Sequence, residues 1–198
     1  MTLHIIIPVR PPEEGKTRLA SALQPQARAA LVEHMFRHVL SVATSATRPD
    51  CCLVVSRSAA LRDIASAAGA RVVAELGHGL NAALAQAAGS LRTRDPLLAL
   101  FADLPLLCAE DVVAMAAMLA EADIVAATDN AGIGTNALLL REPGLIDYRF
   151  GRDSLALHRA EAAKHGMRFS VIRRNGLSSD LDHPADLAIL APGSLDAA

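Results

Sequence analysis

The chain has no tryptophan, one tyrosine and four phenylalanines in 198 residues. Alanine, leucine and valine must therefore build most of the core, a composition suited to helices packed closely on a sheet. It has no basic excess either: 19 Lys and Arg against 21 Asp and Glu give a net charge of −2. That excludes a general electrostatic attraction to nucleic acid or to an anionic membrane, so any polyanion must be met by a local basic cluster. Cysteine is sparse. Cys51, Cys52 and Cys108 sit among apolar neighbours without metal-ligand spacing, which predicts reduced core cysteines in a cytoplasmic protein. No apolar run approaches the roughly 18 residues that span a bilayer. Met1 to Val9 is too short for a signal peptide and lacks a basic start. Repeats, low-complexity tracts and linkers are also missing, so one domain over residues 1–198 is expected.

What is present is an alternation of strand-like and helix-like stretches, which predicts an α/β fold: a single three-layer α/β/α domain on a mostly parallel sheet. The expected strands are His4–Val9, Cys51–Ser56, Arg71–Glu75, Leu97–Phe101, Asp123–Thr128, Ala137–Leu140 and Arg168–Arg173. The expected helices are Gln26–Ala46, Ala59–Ala68, Asn81–Leu91, Ala109–Ala120, Leu155–His165 and a last one opened by Pro184.

The central stretch is Leu97–Phe101, uniformly apolar as a strand buried on both faces must be, with Asp103 just past its end. Open α/β sheets bind ligands outside the carboxyl ends of their strands. A carboxylate held there can bind a metal. The alternative, that Asp103 caps the following helix, competes with the nearer Glu110 and Asp111. Near the end of the chain, Asp180 and Asp182 fall on one side of an extended segment. With Asp103 they form a carboxylate pair or triad suited to Mg²⁺ and phosphate ligands; otherwise Asp182 caps the last helix.

Other stretches offer binding chemistry. After the first strand, Pro8, Pro11 and Pro12 stiffen a loop carrying Arg10, Lys16 and Arg18. Gly15-Lys16-Thr17 resembles the second half of a P-loop, but the full pattern places a glycine where Arg10 stands. The loop reads better as a triphosphate clamp made by lysine and arginine side chains, or as a solvated basic turn. Gly77-His78-Gly79-Leu80-Asn81 permits close backbone approach and offers the Asn81 amide to a base edge or sugar; it is equally a plain turn. Thr135 and Asn136 can bond a small polar substrate. Gly151-x-x-Ser154, flanked by Arg149 and Arg152, can bind an anion at a helix start or serve for capping by Asp153 or Ser154. His34 and His38 stand one helical turn apart without a third ligand, so packing or solvation is the expectation.

Taken in order, Pro8-Val9-Arg10-Pro11 with Lys16-Thr17-Arg18-Leu19, Gly79-Leu80-Asn81-Ala82-Ala83, Ala102-Asp103-Leu104-Pro105-Leu106, Gly134-Thr135-Asn136-Ala137-Leu138, Phe150-Gly151-x-x-Ser154 with His158, and Asp180-x-Asp182-x-Pro184-x-Asp186-Leu187 cover nearly the whole chain. This set resembles the 2-phospho-L-lactate guanylyltransferase family of coenzyme F-420 biosynthesis, within the nucleotidyltransferases that include molybdenum-cofactor nucleotidyl transferases and sugar nucleotide synthases, and so implies their mixed, mostly parallel, Rossmann-like sheet. The resemblance implies that a phosphorylated three-carbon acid (2-phospho-L-lactate, phosphoenolpyruvate or 3-phospho-D-glycerate) attacks the α-phosphorus of GTP and releases pyrophosphate. It further implies that Pro8, Val9, Arg10, Lys16, Arg18, Gly79 and Asn81 surround the nucleotide, and that Lys16, Arg18 and Asp103 are catalytic. Asp103 with Asp182 or Asp180 would hold Mg²⁺, and Thr135, Gly151 and Ser154 the acceptor phosphate. A homodimer is usual for the family. Two departures stand out: Arg10 replaces a common lysine and His183 a common threonine. A relative acting on a molybdopterin-like acceptor, a P-loop kinase and a non-catalytic nucleotide-binding regulator are the competing readings.

Overall fold

The computed structural model describes residues 2–77 and 79–190; His78, in the glycine turn before the third expected helix, lies outside them. In chain order the elements are β1 (His4–Pro8), α1 (Pro25–Ala46), β2 (Cys52–Ser56), α2 (Ala59–Ala67), β3 (Arg71–Ala74), α3 (Leu80–Gly89), β4 (Leu97–Leu100), α4 (Ala109–Ala117), β5 (Ile124–Thr128), β6 (Thr135–Leu140), α5 (Ser154–Lys164), β7 (Phe169–Ile172) and α6 (Asn175–Ser178). Short 3-10 turns fill Pro12–Glu14 and Thr17–Ser21 after β1, and the segment Pro184–Ile189, expected as a helix, is also 3-10.

The seven strands form one sheet in the order β3-β2-β1-β4-β6-β5-β7. All neighbours are parallel except those of β6, which runs antiparallel to both β4 and β5. The mixed, mostly parallel α/β architecture expected from the sequence is the one observed. The strands are short; β2, β4, β5 and β6 are buried along their whole length because both faces are covered, whereas the edge strand β3 is largely exposed. One face packs Phe36 and Val39 of α1, Leu61 of α2 and Met115 of α4; the other packs Leu84 of α3, Ala162 of α5 and Phe150 from the loop before α5.

Topology fixes where a site can form. From β1 the chain winds outward to β2 and β3, then returns to lay β4 on the other side of β1. The crevice outside the carboxyl ends of β1 and β4 is the switch point. Because β6 is antiparallel, its first residues, Thr135 and Asn136, come to that same edge: Leu100 pairs with Ala137, and the Phe101 amide donates to the Asn136 carbonyl at 3.1 Å. The strand begins two residues earlier than its apolar run suggested, which draws both polar residues into the sheet.

Two cysteines are core residues, as expected, but Cys108 is exposed at the start of α4. Its backbone N–H donates to the Asp111 carboxylate at 3.0 Å, so Asp111 supplies the helix cap and Asp103 is free of that role. Asp111 is buried, and its other oxygen accepts from Arg174 Nε at 2.6 Å. Burial alone would raise the Asp111 pKa, yet the bonds from Arg174 and Cys108 hold it below the usual carboxylate range. A Cβ at Gly176 would overlap this carboxylate and lie 2.7 Å from the Leu106 carbonyl, so α6 seats on α4 only with glycine there. Asp111→Ala would strand the Cys108 N–H and the partly exposed Arg174. We expect a loss of about 2 kcal/mol in urea unfolding, less than for a fully buried pair because Arg174 keeps contact with water.

Candidate active site

Lys16 is the centre of the switch-point crevice. Its ammonium donates to Asp103 Oδ2 at 2.6 Å and to Asp182 Oδ1 at 2.8 Å. Arg18 Nη1 reaches the other Asp182 oxygen at 3.0 Å. The Lys16 side chain is only 9% exposed. Burial pulls its pKa down, but the two carboxylates outweigh that and hold it above the ordinary lysine value. Lys16 adopts a left-handed backbone conformation, φ 51°, without being glycine. Such strain in a side chain aimed at two acids is characteristic of functional loops.

The carboxylates arrive from opposite ends of the chain. Asp103 follows β4, and its carbonyl accepts the Leu181 N–H at 3.2 Å, which brings the 180–182 segment alongside. Asp186 takes the N–H groups of Asp182 and His183 at 2.9 and 2.6 Å. Asp186 therefore caps the final turn, and the Asp182 carboxylate is left to meet Lys16. Burial raises the Asp182 pKa, but Lys16 and Arg18 bring it below the carboxylate norm. Asp180 behaves differently: it accepts from Asn136 Nδ2 at 3.0 Å, and burial, with Asp103 and Asp182 nearby, raises its pKa. Among the described residues no three His, Cys, Asp or Glu side chains converge as a ready metal cage. A cation nonetheless fits the donor set. Asp103 Oδ1 is buried with no hydrogen-bond partner among the described residues, and the carboxylates are the hard oxygen ligands that Mg²⁺ takes.

The remaining predicted residues line the same sheet edge. Pro8 ends β1, and the Val9 N–H donates to the Val55 carbonyl at 3.0 Å, while Arg10 is exposed beyond. Gly79 precedes α3 and is exposed. Asn81 does not hold its amide out to a ligand: Nδ2 donates to the Phe150 carbonyl at 3.0 Å and Oδ1 accepts the Phe150 N–H at 2.9 Å. Asn136 is likewise committed inward, to Leu177 O and Asp180, which corrects its reading as a substrate contact. Thr135 is buried, with its hydroxyl 3.2 Å from His158 Nδ1. Gly151 has φ 131°, a conformation open to glycine, and is exposed before α5. Ser154 is buried at the first position of α5, and Asp153 makes no side-chain cap there, which removes Asp153 from the capping alternative. His38 Nε2 meets the Leu107 carbonyl at 2.9 Å and His34 is exposed, as expected of packing and solvated histidines.

His158 has no role that its sequence context alone assigns. It is fully buried, and its Nε2 accepts the Arg149 N–H at 3.0 Å. Burial pushes its pKa down to about 4, the Arg149 charge adds to that, and the Ser154 backbone opposes it. Its unfolded-state value is about 6.5, so the unfolded chain binds the extra proton first on acidification. Stability should fall as pH drops from about 6.5 toward 4, by about 2–3 kcal/mol. Urea midpoints measured across that window check this, and His158→Gln should flatten the slope.

Among the described residues no helix is long and apolar enough to cross a membrane. A family profile described as "Guanylyl transferase CofC like" matches residues 3–194. A phosphoenolpyruvate guanylyltransferase of Sphaerobacter thermophilus is 37% identical over 193 residues, covering 96% of this chain and 93% of that protein. One of Rubrobacter xylanophilus is 39% identical over 195 residues, covering 96% and 94%. Among solved structures, one of the nucleotide-diphospho-sugar transferase type from Desulfovibrio desulfuricans G20 superposes with a TM-score of 0.77 at 17% identity, covering 100% of this chain and 90% of that one. A nucleotidyl transferase from Methanothermobacter thermautotrophicus gives 0.66 at 16% identity, covering 100% and 99%. At those identities the structures speak for the fold alone. The sequence relatives and the profile settle the family that the motifs resemble: this chain belongs to the CofC-like guanylyl transferases.

Proposed function

We propose that this guanylyltransferase joins GMP from GTP to phosphoenolpyruvate, as a step in making coenzyme F-420. The observation that carries the reading is the Lys16 ammonium shared by Asp103 and Asp182 at the β1/β4 switch point. A phosphate oxygen of the acid attacks the α-phosphorus of GTP. The bond from the α-phosphorus to the bridging oxygen breaks, and pyrophosphate leaves with that oxygen and its electron pair. The attacking oxygen is already ionised near neutral pH, so no side chain has to remove a proton. Catalysis then rests on positioning and on charge neutralisation.

Arg10, Lys16 and Arg18 supply the positive charge along the triphosphate, and the Pro8–Val9 backbone and the Gly79 turn flank the nucleotide. Asp103 and Asp182, with Asp180 beside them, are the residues that would hold Mg²⁺. When bound, the ion neutralises charge on the triphosphate. Lys16 neutralises the same two carboxylates, so its ammonium and the ion would share the charge of this acidic pair beside the triphosphate. Thr135, Gly151 and Ser154 receive the acceptor phosphate. The choice of acid follows the names of the relatives, which specify phosphoenolpyruvate.

Pyrophosphate release tests the assignment. With GTP and Mg²⁺, phosphoenolpyruvate should support turnover well above that seen with 2-phospho-L-lactate or 3-phospho-D-glycerate, and ATP or CTP should not replace GTP. Faster release with either other acid would reassign the acceptor.

A further inference from the structure

We propose that His158 is a positioning residue, one that turns the Thr135 hydroxyl outward as a hydrogen-bond donor to the phosphate of the acceptor acid. The proposal rests on the reading above that Thr135 meets that phosphate.

Proton placement around the ring decides which way the hydroxyl points. The Arg149 N–H points at His158 Nε2 from 3.0 Å, so Nε2 must present a lone pair. A neutral ring then carries its proton on Nδ1. The ring is neutral because it is fully buried beside the Arg149 charge. Nδ1 lies 3.2 Å from Thr135 Oγ1, and the Ser154 backbone also bonds the ring, so a proton on Nδ1 leaves the threonine oxygen only an accepting role toward it. The hydroxyl hydrogen of Thr135 is thereby left for another acceptor. A phosphate dianion offers only acceptor oxygens and selects donors. A threonine that receives one hydrogen bond and gives another suits it; a threonine that donated to the ring would not.

The ring is held well enough to do this. Phe150 packs against it edge-on, with centroids 4.7 Å apart and an interplanar angle of 73°. The Phe150 backbone is in turn gripped at N–H and C=O by Asn81. Arg149 also reaches Glu161, one turn further along α5, at 3.5 Å. One imidazole thus ties β6, the 149–153 loop and the helix that begins at Ser154, the three elements bearing the acceptor residues.

The test separates the two ring nitrogens. In His158→Gln the side-chain oxygen can replace Nε2 but nothing replaces the Nδ1 donor; in His158→Asn the amide replaces the Nδ1 donor. His158→Gln and Thr135→Val should each raise KM for phosphoenolpyruvate about tenfold or more, the scale of one hydrogen bond to a charged group. KM for GTP should stay within about twofold, and His158→Asn should keep most of the acid affinity. The double variant His158→Gln/Thr135→Val should be no worse than either single change. If Thr135→Val raises KM and His158→Gln does not, the positioning role is wrong and the acceptor reading stands. Were Thr135→Val itself silent, the acceptor reading would fail and take the inference with it. The wild-type protein gives an independent answer should the variants not fold. In ¹⁵N-histidine-labelled enzyme at pH 7, the His158 proton is expected on Nδ1, and a proton on Nε2 would overturn the proposal.

Discussion

Asp103→Asn should lower kcat by at least about a thousandfold, the several kcal/mol that a charge-neutralising centre contributes to phosphoryl chemistry. The fold should barely notice. Asp103 Oδ1 has no hydrogen-bond partner among the described residues, and Oδ2 is bonded only through Lys16. An amide removes a partly buried charge while keeping the shape, and Lys16 keeps Asp182 as its ion-pair partner, so the melting temperature should stay within a few degrees. A parallel fall in melting temperature and rate would instead make Asp103 a structural acid. Measuring kcat and thermal unfolding on the same preparation decides between them.

Lys16→Met has the second large effect, and here activity and stability should move together. The variant removes the ammonium that both Asp103 and Asp182 share, leaving Arg18 as the remaining cationic partner of Asp182. Two carboxylates left with only the exposed Arg18 as counter-charge repel, and the rate should fall by about a hundred- to a thousandfold because a preorganised positive group is gone. The apo protein should melt several degrees lower. Millimolar Mg²⁺ or Mn²⁺ should restore part of that loss in Lys16→Met while shifting the wild type less, because in the wild type the lysine already fills the charge. A melting temperature that ignores the divalent ion in both proteins would count against a cation at these carboxylates.

Much of this site is legible in the sequence. Asp103 stands out because an apolar strand that runs straight into a carboxylate and a Leu-Pro turn sets an acid at the binding edge of the sheet, and because Asp111 is at hand to cap α4. The sheet was legible from largely apolar strands alternating with helices, and the mixed direction from the family resemblance. Pairwise commitments inside the fold were not legible. Asn81 and Asn136 each carry an amide that sequence alone offers to a ligand, yet Asn81 clamps Phe150 and Asn136 orients Asp180. An amide declares its partner only once distant segments are packed.

The helix α5 hid its role for a related reason. Its buried positions include Ser154, His158 and Glu161, a polar stripe at helical spacing. Apolar periodicity cannot detect a helix face buried for hydrogen bonding. That stripe was the available signal for His158, and it gains meaning only beside Thr135 and Arg149. Lys16 was visible as a basic residue after β1, but its left-handed backbone and its double ion pair depend on β4 and the chain's end arriving beside it. The four-residue α6 was missed because Asn175-Gly176-Leu177-Ser178 has weak helix propensity; Gly176 is there for its close fit to Asp111.

The most direct measurement is ³¹P NMR of a reaction containing GTP, phosphoenolpyruvate, Mg²⁺ and the wild-type enzyme, with Asp103→Asn as the matched control. Attack at the α-phosphorus predicts that the GTP resonances are replaced by pyrophosphate and by a new pair of coupled diphosphate-diester signals, with the phosphoenolpyruvate monoester signal falling in step, and no change with the variant. Appearance of GDP and orthophosphate instead, with the phosphoenolpyruvate signal intact, would mean chemistry at the γ-phosphorus and would contradict the account at its centre.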